Sequence, residues 1–176
     1  MAKTMKLTAA ISLILTALCC LMYHLTDSKI LLAVAITLGA IAYHFNIRLL
    51  VGGLFDAIMK NKADHTKKWF QVSEAEMKLY ERLKVKKWKN KMPTYDIDAF
   101  DTSKHSWDEI VQPMCQSELV HETNVILSFL PVAASVWFGS FWVFLITSLL
   151  SAVFDLMFVF MQRFNRSRIL RMKAKR

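Results

Sequence analysis

The sequence predicts an all-α integral membrane protein: four transmembrane helices arranged as two hairpins, with a cytoplasmic helical segment between them. Three observations carry that expectation. The chain is 55% hydrophobic with a mean hydropathy of +0.31, yet it holds 23 Lys and Arg against 14 Asp and Glu, a formal charge of +9. A chain both this apolar and this basic must keep the two properties apart. Four apolar runs take up the first property, and nearly all the cations lie outside them. Glycine and proline number only 4 and 3, which excludes collagen-like and disordered chains. The three cysteines include the adjacent Cys19 and Cys20 within an apolar run, so they cannot staple a secreted scaffold.

The runs cover residues 7–25, 30–45, 124–139 and 140–161. A membrane-spanning helix takes about 20 predominantly apolar residues. The first and fourth runs meet this; the second and third are short and must borrow flanking residues or tilt. Residues 49–55 either extend the second run past Arg48 or lie in the interface as a separate turn. Lys3 and Lys6 before the first run raise the question of a signal peptide, but no small-x-small cleavage pattern appears before Asp27. The first run is therefore read as a retained anchor.

With four spans, 22 of the 23 cations fall on one side, and only Lys29 lies in the other set of loops. Cations near span ends set orientation. A multi-pass protein of the cell membrane is expected, with both termini and the central segment cytoplasmic. The expected organisation is an N-terminal hairpin over 1–59, a membrane-surface helical segment over 60–119, and a C-terminal hairpin with a basic tail over 120–176.

The central segment begins with Lys60, Lys62, Lys67 and Lys68 beside Trp69 and Phe70, a composition suited to anionic headgroups. Ser73 followed by Glu76 predicts a capping box opening a helix. Phe70, Met77, Tyr80 and Leu83 then share one face. Met92-Pro93-Thr94 predicts a helix stop, and residues 95–106 an acidic-then-polar loop. Residues 107–122 predict a helix leading into the third span, interrupted near its start by Pro113.

Candidate chemistry concentrates in three places. In Gln116-Ser117-Glu118-Leu119-Val120-His121-Glu122, helical spacing puts Glu118, His121 and Glu122 on one face. A carboxylate beside an imidazole fixes its tautomer and raises its basicity, as a general base requires. The bland alternative is a solvated helix end. The same spacing occurs in carboxylate-bridged metal bundles, but those need two such motifs, so no metal is expected. In Gln162-Arg163-Phe164-Asn165-Arg166-Ser167-Arg168-Ile169, the arginines either fix topology or bind phosphate and carboxylate groups. The cations around Trp88 (Lys84, Lys86, Lys87, Lys89, Lys91) pose the same choice; nucleic acid is disfavoured because the flanking spans hold them at lipid. Asp155 is the one formal charge within the fourth run, with His24 and His44 as candidate neighbours and a protonated, helix-bonded acid as the simpler reading.

Together three of these segments resemble the glycosyl-4,4′-diaponeurosporenoate acyltransferases. The matching text is Tyr80 with Leu83-Lys84-Val85-Lys86-Lys87-Trp88-Lys89-Asn90-Lys91-Met92-Pro93, then Ser117-Glu118-Leu119-Val120-His121, then Gln162 through Ile169. The resemblance covers roughly the C-terminal half. Gln116, Glu122 and Ser167 stand where the family tends to have arginine, an aromatic and proline. It implies transfer of a fatty acyl group to a hydroxyl of a glycosylated or other membrane-embedded lipid. On that reading His121 and Glu118 are catalytic, with Glu118 supporting the imidazole. Lys87, Trp88, Lys89, Arg163, Asn165, Arg166 and Arg168 bind substrate. No cofactor is expected; an acyl donor such as acyl-CoA, a lipid acceptor and the bilayer are the partners. The alternative is a non-enzymatic membrane scaffold or lipid-binding subunit.

Overall fold

A computed structural model describes residues 2–88, 92 and 103–174. Six helices carry them: α1 (Ala2–Thr26), α2 (Lys29–Met59), α3 (Glu74–Arg82), α4 (Trp107–Leu127), α5 (Leu130–Phe138) and α6 (Phe141–Lys173). Two 3-10 turns, Lys68–Phe70 and Val85–Lys87, complete the set, and no strand occurs among the described residues. The all-helical expectation holds. Four stretches are long and apolar enough to cross a membrane: Ala2–Thr26, Lys29–Met59, Trp107–Phe138 and Phe141–Lys173. Residues 49–55 are helical and continue α2 past Arg48. Lys89, the helix stop expected at Met92-Pro93-Thr94 and most of the 95–106 loop lie outside the described residues.

The chain divides into two compact units. The first comprises Met1–Val51 and Thr123–Phe154. Its core packs Ile36 and Ala40 of α2 against Phe144 of α6, flanked by Leu32, Ala134 and Val143. Much of its remaining apolar surface is exposed, including Leu7, Ile14, Ile30, Val136 and Trp142, as a lipid-facing surface would be. The third run is broken in two here: α4 ends at Leu127 and α5 restarts with Pro131 in its first turn. Pro131 has no N–H to give the Leu127 carbonyl four residues back. The Tyr43 hydroxyl donates to that carbonyl instead, at 2.9 Å.

The second unit comprises Gly52–Glu122 and Asp155–Arg176. One apolar cluster joins Phe70 to Ile110, Val111, Met114 and Cys115 of α4 and Ile169 of α6. A second joins Met77, Tyr80 and Val85 to Phe158, Met161 and Phe164 of α6. The capping box forms as the sequence predicts: Ser73 Oγ accepts from the Glu76 N–H while Glu76 Oε2 accepts from the Ser73 N–H at 2.8 Å. Ser106 and Glu109 open α4 in the same way.

Two local expectations are corrected. Leu83 is 40% exposed rather than buried with Met77 and Tyr80, because α3 ends at Arg82 and the chain turns away there. Pro113 lies within a continuous α4. Its missing N–H costs one bond near the N-terminus, and the packed residues Ile110, Val111 and Met114 around it hold the helix together.

Candidate active site

The site is built on α4 and α6 within the second unit. Glu118 is fully buried on α4, and both its oxygens meet guanidinium groups of α6. Arg163 Nη1 donates to Oε1 at 2.5 Å, and Arg166 Nη1 donates to Oε2. The two arginines also reach back to the chain around the first 3-10 turn. Arg163 donates to the carbonyls of Trp69 and Gln71, and Arg166 to that of Phe70, whose ring its guanidinium overlies. Glu76 closes the network: its Oε1 accepts from Arg163 Nε at 3.1 Å and from the Tyr80 hydroxyl at 3.2 Å. Two carboxylates and two guanidiniums thus balance in charge, as burial demands.

The titration of the outer members follows from these contacts. Burial pushes the Tyr80 hydroxyl up to about 12, with the Glu76 charge adding to it. For Glu76, burial works against ionisation. The Ser73 N–H and hydroxyl and the Arg163 charge outweigh it and hold the carboxyl below its ordinary range.

His121, one turn beyond Glu118, faces a different partner. Its Nδ1 lies 2.8 Å from Asp155 Oδ1, and Asp155 is fully buried on α6. The imidazole stacks on Phe158, with ring centroids 4.4 Å apart and planes within 5°. The expected Glu118–His121 support is therefore corrected. Glu118 is turned to Arg163 and Arg166, and Asp155 supplies the carboxylate at the imidazole. His121, which is not among the expected neighbours of Asp155, is a partner of it. Glu122, the third member of the shared face, accepts from Trp69 Nε1 at 2.8 Å.

The basic segments divide between two places. Arg163 and Arg166 are partners of Glu118, with Arg166 fully buried. Both are thus occupied by a buried carboxylate and by backbone carbonyls, while Arg166 Nε is buried with no hydrogen-bond partner among the described residues. Lys87 and Arg168 instead line a separate cavity together with Lys84, Lys86 and Arg171. Trp88 packs against the apolar cluster containing Phe158 and Phe164. Asn165 is half-buried between the arginines and belongs to neither group. Sequence reasoning missed Glu76 as a partner of Arg163, because the capping box accounted for only one of its oxygens. The signal for Asp155 was present, as the lone acid of an apolar run, but its partner lies on another helix.

Residues 66–175 match the glycosyl-4,4′-diaponeurosporenoate acyltransferase family, and the match takes in the whole of α3, α4, α5 and α6. The chain belongs to this family. It is thus an acyltransferase of a carotenoid-pathway family, with several apolar helices suited to a membrane. No curated protein and no solved structure matches the chain. Two positions where it departs from the family's usual residues have structural partners here. Gln116 Oε1 accepts from the Asn61 N–H at 2.7 Å, a bond that an arginine could not accept. Glu122 holds Trp69, as an aromatic residue could not do through a carboxylate.

Proposed function

We propose that this acyltransferase moves a fatty acyl group from a thioester donor to a hydroxyl of a membrane-embedded, glycosylated lipid, with His121 as general base and Asp155 as its positioning residue. The observation that carries this reading is the 2.8 Å contact between His121 Nδ1 and the buried Asp155 carboxylate. A carboxylate only accepts, so that bond keeps the proton on Nδ1 and leaves the lone pair on Nε2. Stacking on Phe158 fixes the plane of the ring. The side chain of His121 keeps 19% of its surface accessible, so a substrate can reach it.

Nε2 takes the proton of the acceptor hydroxyl as its oxygen attacks the thioester carbonyl carbon. The C–O bond forms, and collapse of the tetrahedral intermediate breaks the C–S bond. The proton then passes from Nε2 to the departing thiolate, which leaves the enzyme as it began. Asp155 supports the transient imidazolium. Glu118 acts at one remove, holding Arg163 and Arg166 and, through them, the backbone of the 69–71 turn. We place both termini and the polar 60–119 segment on the cytoplasmic face, where the cation partition puts them.

The test is transfer of a labelled acyl group in membranes at matched expression. General-base assistance is worth about 10²–10⁴-fold. His121→Ala should lower turnover by that order while its unfolding temperature stays near that of the parent. Full turnover in His121→Ala would remove this residue from the chemistry.

A further inference from the structure

The second unit holds a cavity of about 510 Å³ that the proton-transfer chemistry does not use. Its rim carries Lys84, Lys86 and Lys87 from the turn after α3 and Arg168 and Arg171 from α6, against the single carboxylate, among the described residues, of Glu81. Its floor is formed by the buried Tyr80, Val85 and Phe164, with Met172 exposed at its edge. The backbone of the lysine turn and the side chain of Arg168 have defined geometry. Lys84 adopts a left-handed backbone (φ 55°, ψ 38°), a conformation disfavoured for a non-glycine residue, and that turn leads directly into the Val85–Lys87 helical turn. The Arg168 guanidinium lies 5.5 Å over the Phe164 ring, which orients it across the floor.

We infer that this cavity binds the adenosine 3′,5′-bisphosphate end of a coenzyme A thioester, making it the donor subsite of the proposed transfer. Among the described residues, five cations against one carboxylate leave a surplus of four positive charges at the rim. The diphosphate and 3′-phosphate of such a donor carry about four negative charges. The Arg168 and Arg171 guanidiniums and the exposed Met172 side chain offer faces on which a purine can lie. A single lipid phosphate would leave most of the cations without a partner. The cavity also adjoins the proposed base through shared packing. Tyr80 and Phe164 of its floor belong to the same apolar cluster as Phe158, the ring on which His121 stacks. The acyl-bearing arm of the donor would lie along that cluster.

This inference rests on the acyl-transfer reading, so its test measures binding without turnover. The full chain in zwitterionic nanodiscs is titrated with adenosine 3′,5′-bisphosphate by calorimetry. Saturable one-to-one binding is expected, weakening as salt screens the rim charges. Lys87→Gln combined with Arg168→Gln should weaken it by at least about tenfold, since two charge-assisted contacts are lost. AMP, which lacks the second phosphate, should bind more weakly than the bisphosphate. His121→Ala should bind the bisphosphate as the parent does; if it also keeps full turnover, the base assignment fails while the subsite stands. Absence of saturable binding, or binding unchanged in the double variant, overturns the subsite. So does retention of an acidic carrier protein or of anionic vesicles through Lys87 and Arg168 when the nucleotide is not retained.

Discussion

The two units treat buried polar groups in opposite ways. In the first, a series of contacts runs to backbone carbonyls and hydroxyls. Tyr43 reaches the Leu127 carbonyl, Ser128 meets Ser151 at 2.9 Å, and Arg48 donates to the His44 carbonyl and to both oxygens of Ser151. Bonds of this kind satisfy groups that lipid cannot, and they hold helices together. In the second, carboxylates face guanidiniums and an imidazole: Glu118 between Arg163 and Arg166, Asp155 at His121. Such charges are expensive to bury, and each is paired here with an opposite charge or an imidazole. One unit is built to sit in an apolar medium, the other to fix charges around a group that can carry a proton. The chemistry is therefore assigned to the second.

Arg166→Ala should sharpen that contrast most. It leaves the buried Glu118 with one partner in place of two and releases the Phe70 carbonyl, so a loss of about 3–5 kcal/mol is expected. Unfolding in detergent followed by circular dichroism measures it. Tyr43→Phe, in the first unit, removes one hydrogen bond to a backbone carbonyl. About 1–2 kcal/mol is expected there, with acyl transfer per folded molecule unchanged. If the two variants unfolded alike, the distinction between the units would fail.

Acid gives a smaller and more local effect. The Glu76 carboxyl is held below its ordinary value near 4.5 by Ser73 and Arg163 despite its burial. A carboxyl lowered in the folded state contributes stability that is fully present above its unfolded pKa and lost as the pH falls through the folded one. The unfolding midpoint should therefore drop as the pH falls from about 5 to 3. Part of that dependence should vanish in Glu76→Gln. An unchanged acid profile in the variant would show that Glu76 does not bear on folding through its charge.

What the sequence made legible follows from what is local. The apolar runs declared the long helices, and Ser73 with Glu76 declared the start of α3. The motifs around His121 and Arg163 marked α4 and α6 as the elements carrying charge into the second unit. What it hid depends on which side chain turns toward which across helices. Glu118 and His121 sit one turn apart, so spacing alone favoured pairing them with each other. The structure pairs them with Arg163 and Arg166, and with Asp155, residues 34 to 48 positions away. A helix can present neighbours on one face and still send them to different partners. The break at residues 128–129 was hidden for a related reason: its stability depends on Tyr43, from another helix, serving the carbonyl that Pro131 leaves open.

The central claim is that Asp155 acts through His121, and a double-mutant cycle on kcat tests it most directly. His121→Ala, Asp155→Asn and the combined variant are compared in the labelled acyl-transfer assay, with unfolding midpoints recorded for each. If the two residues work as one unit, Asp155→Asn lowers kcat on its own, and the combined variant is no slower than His121→Ala. Losses that multiply, or full turnover in Asp155→Asn with its midpoint intact, would contradict the account.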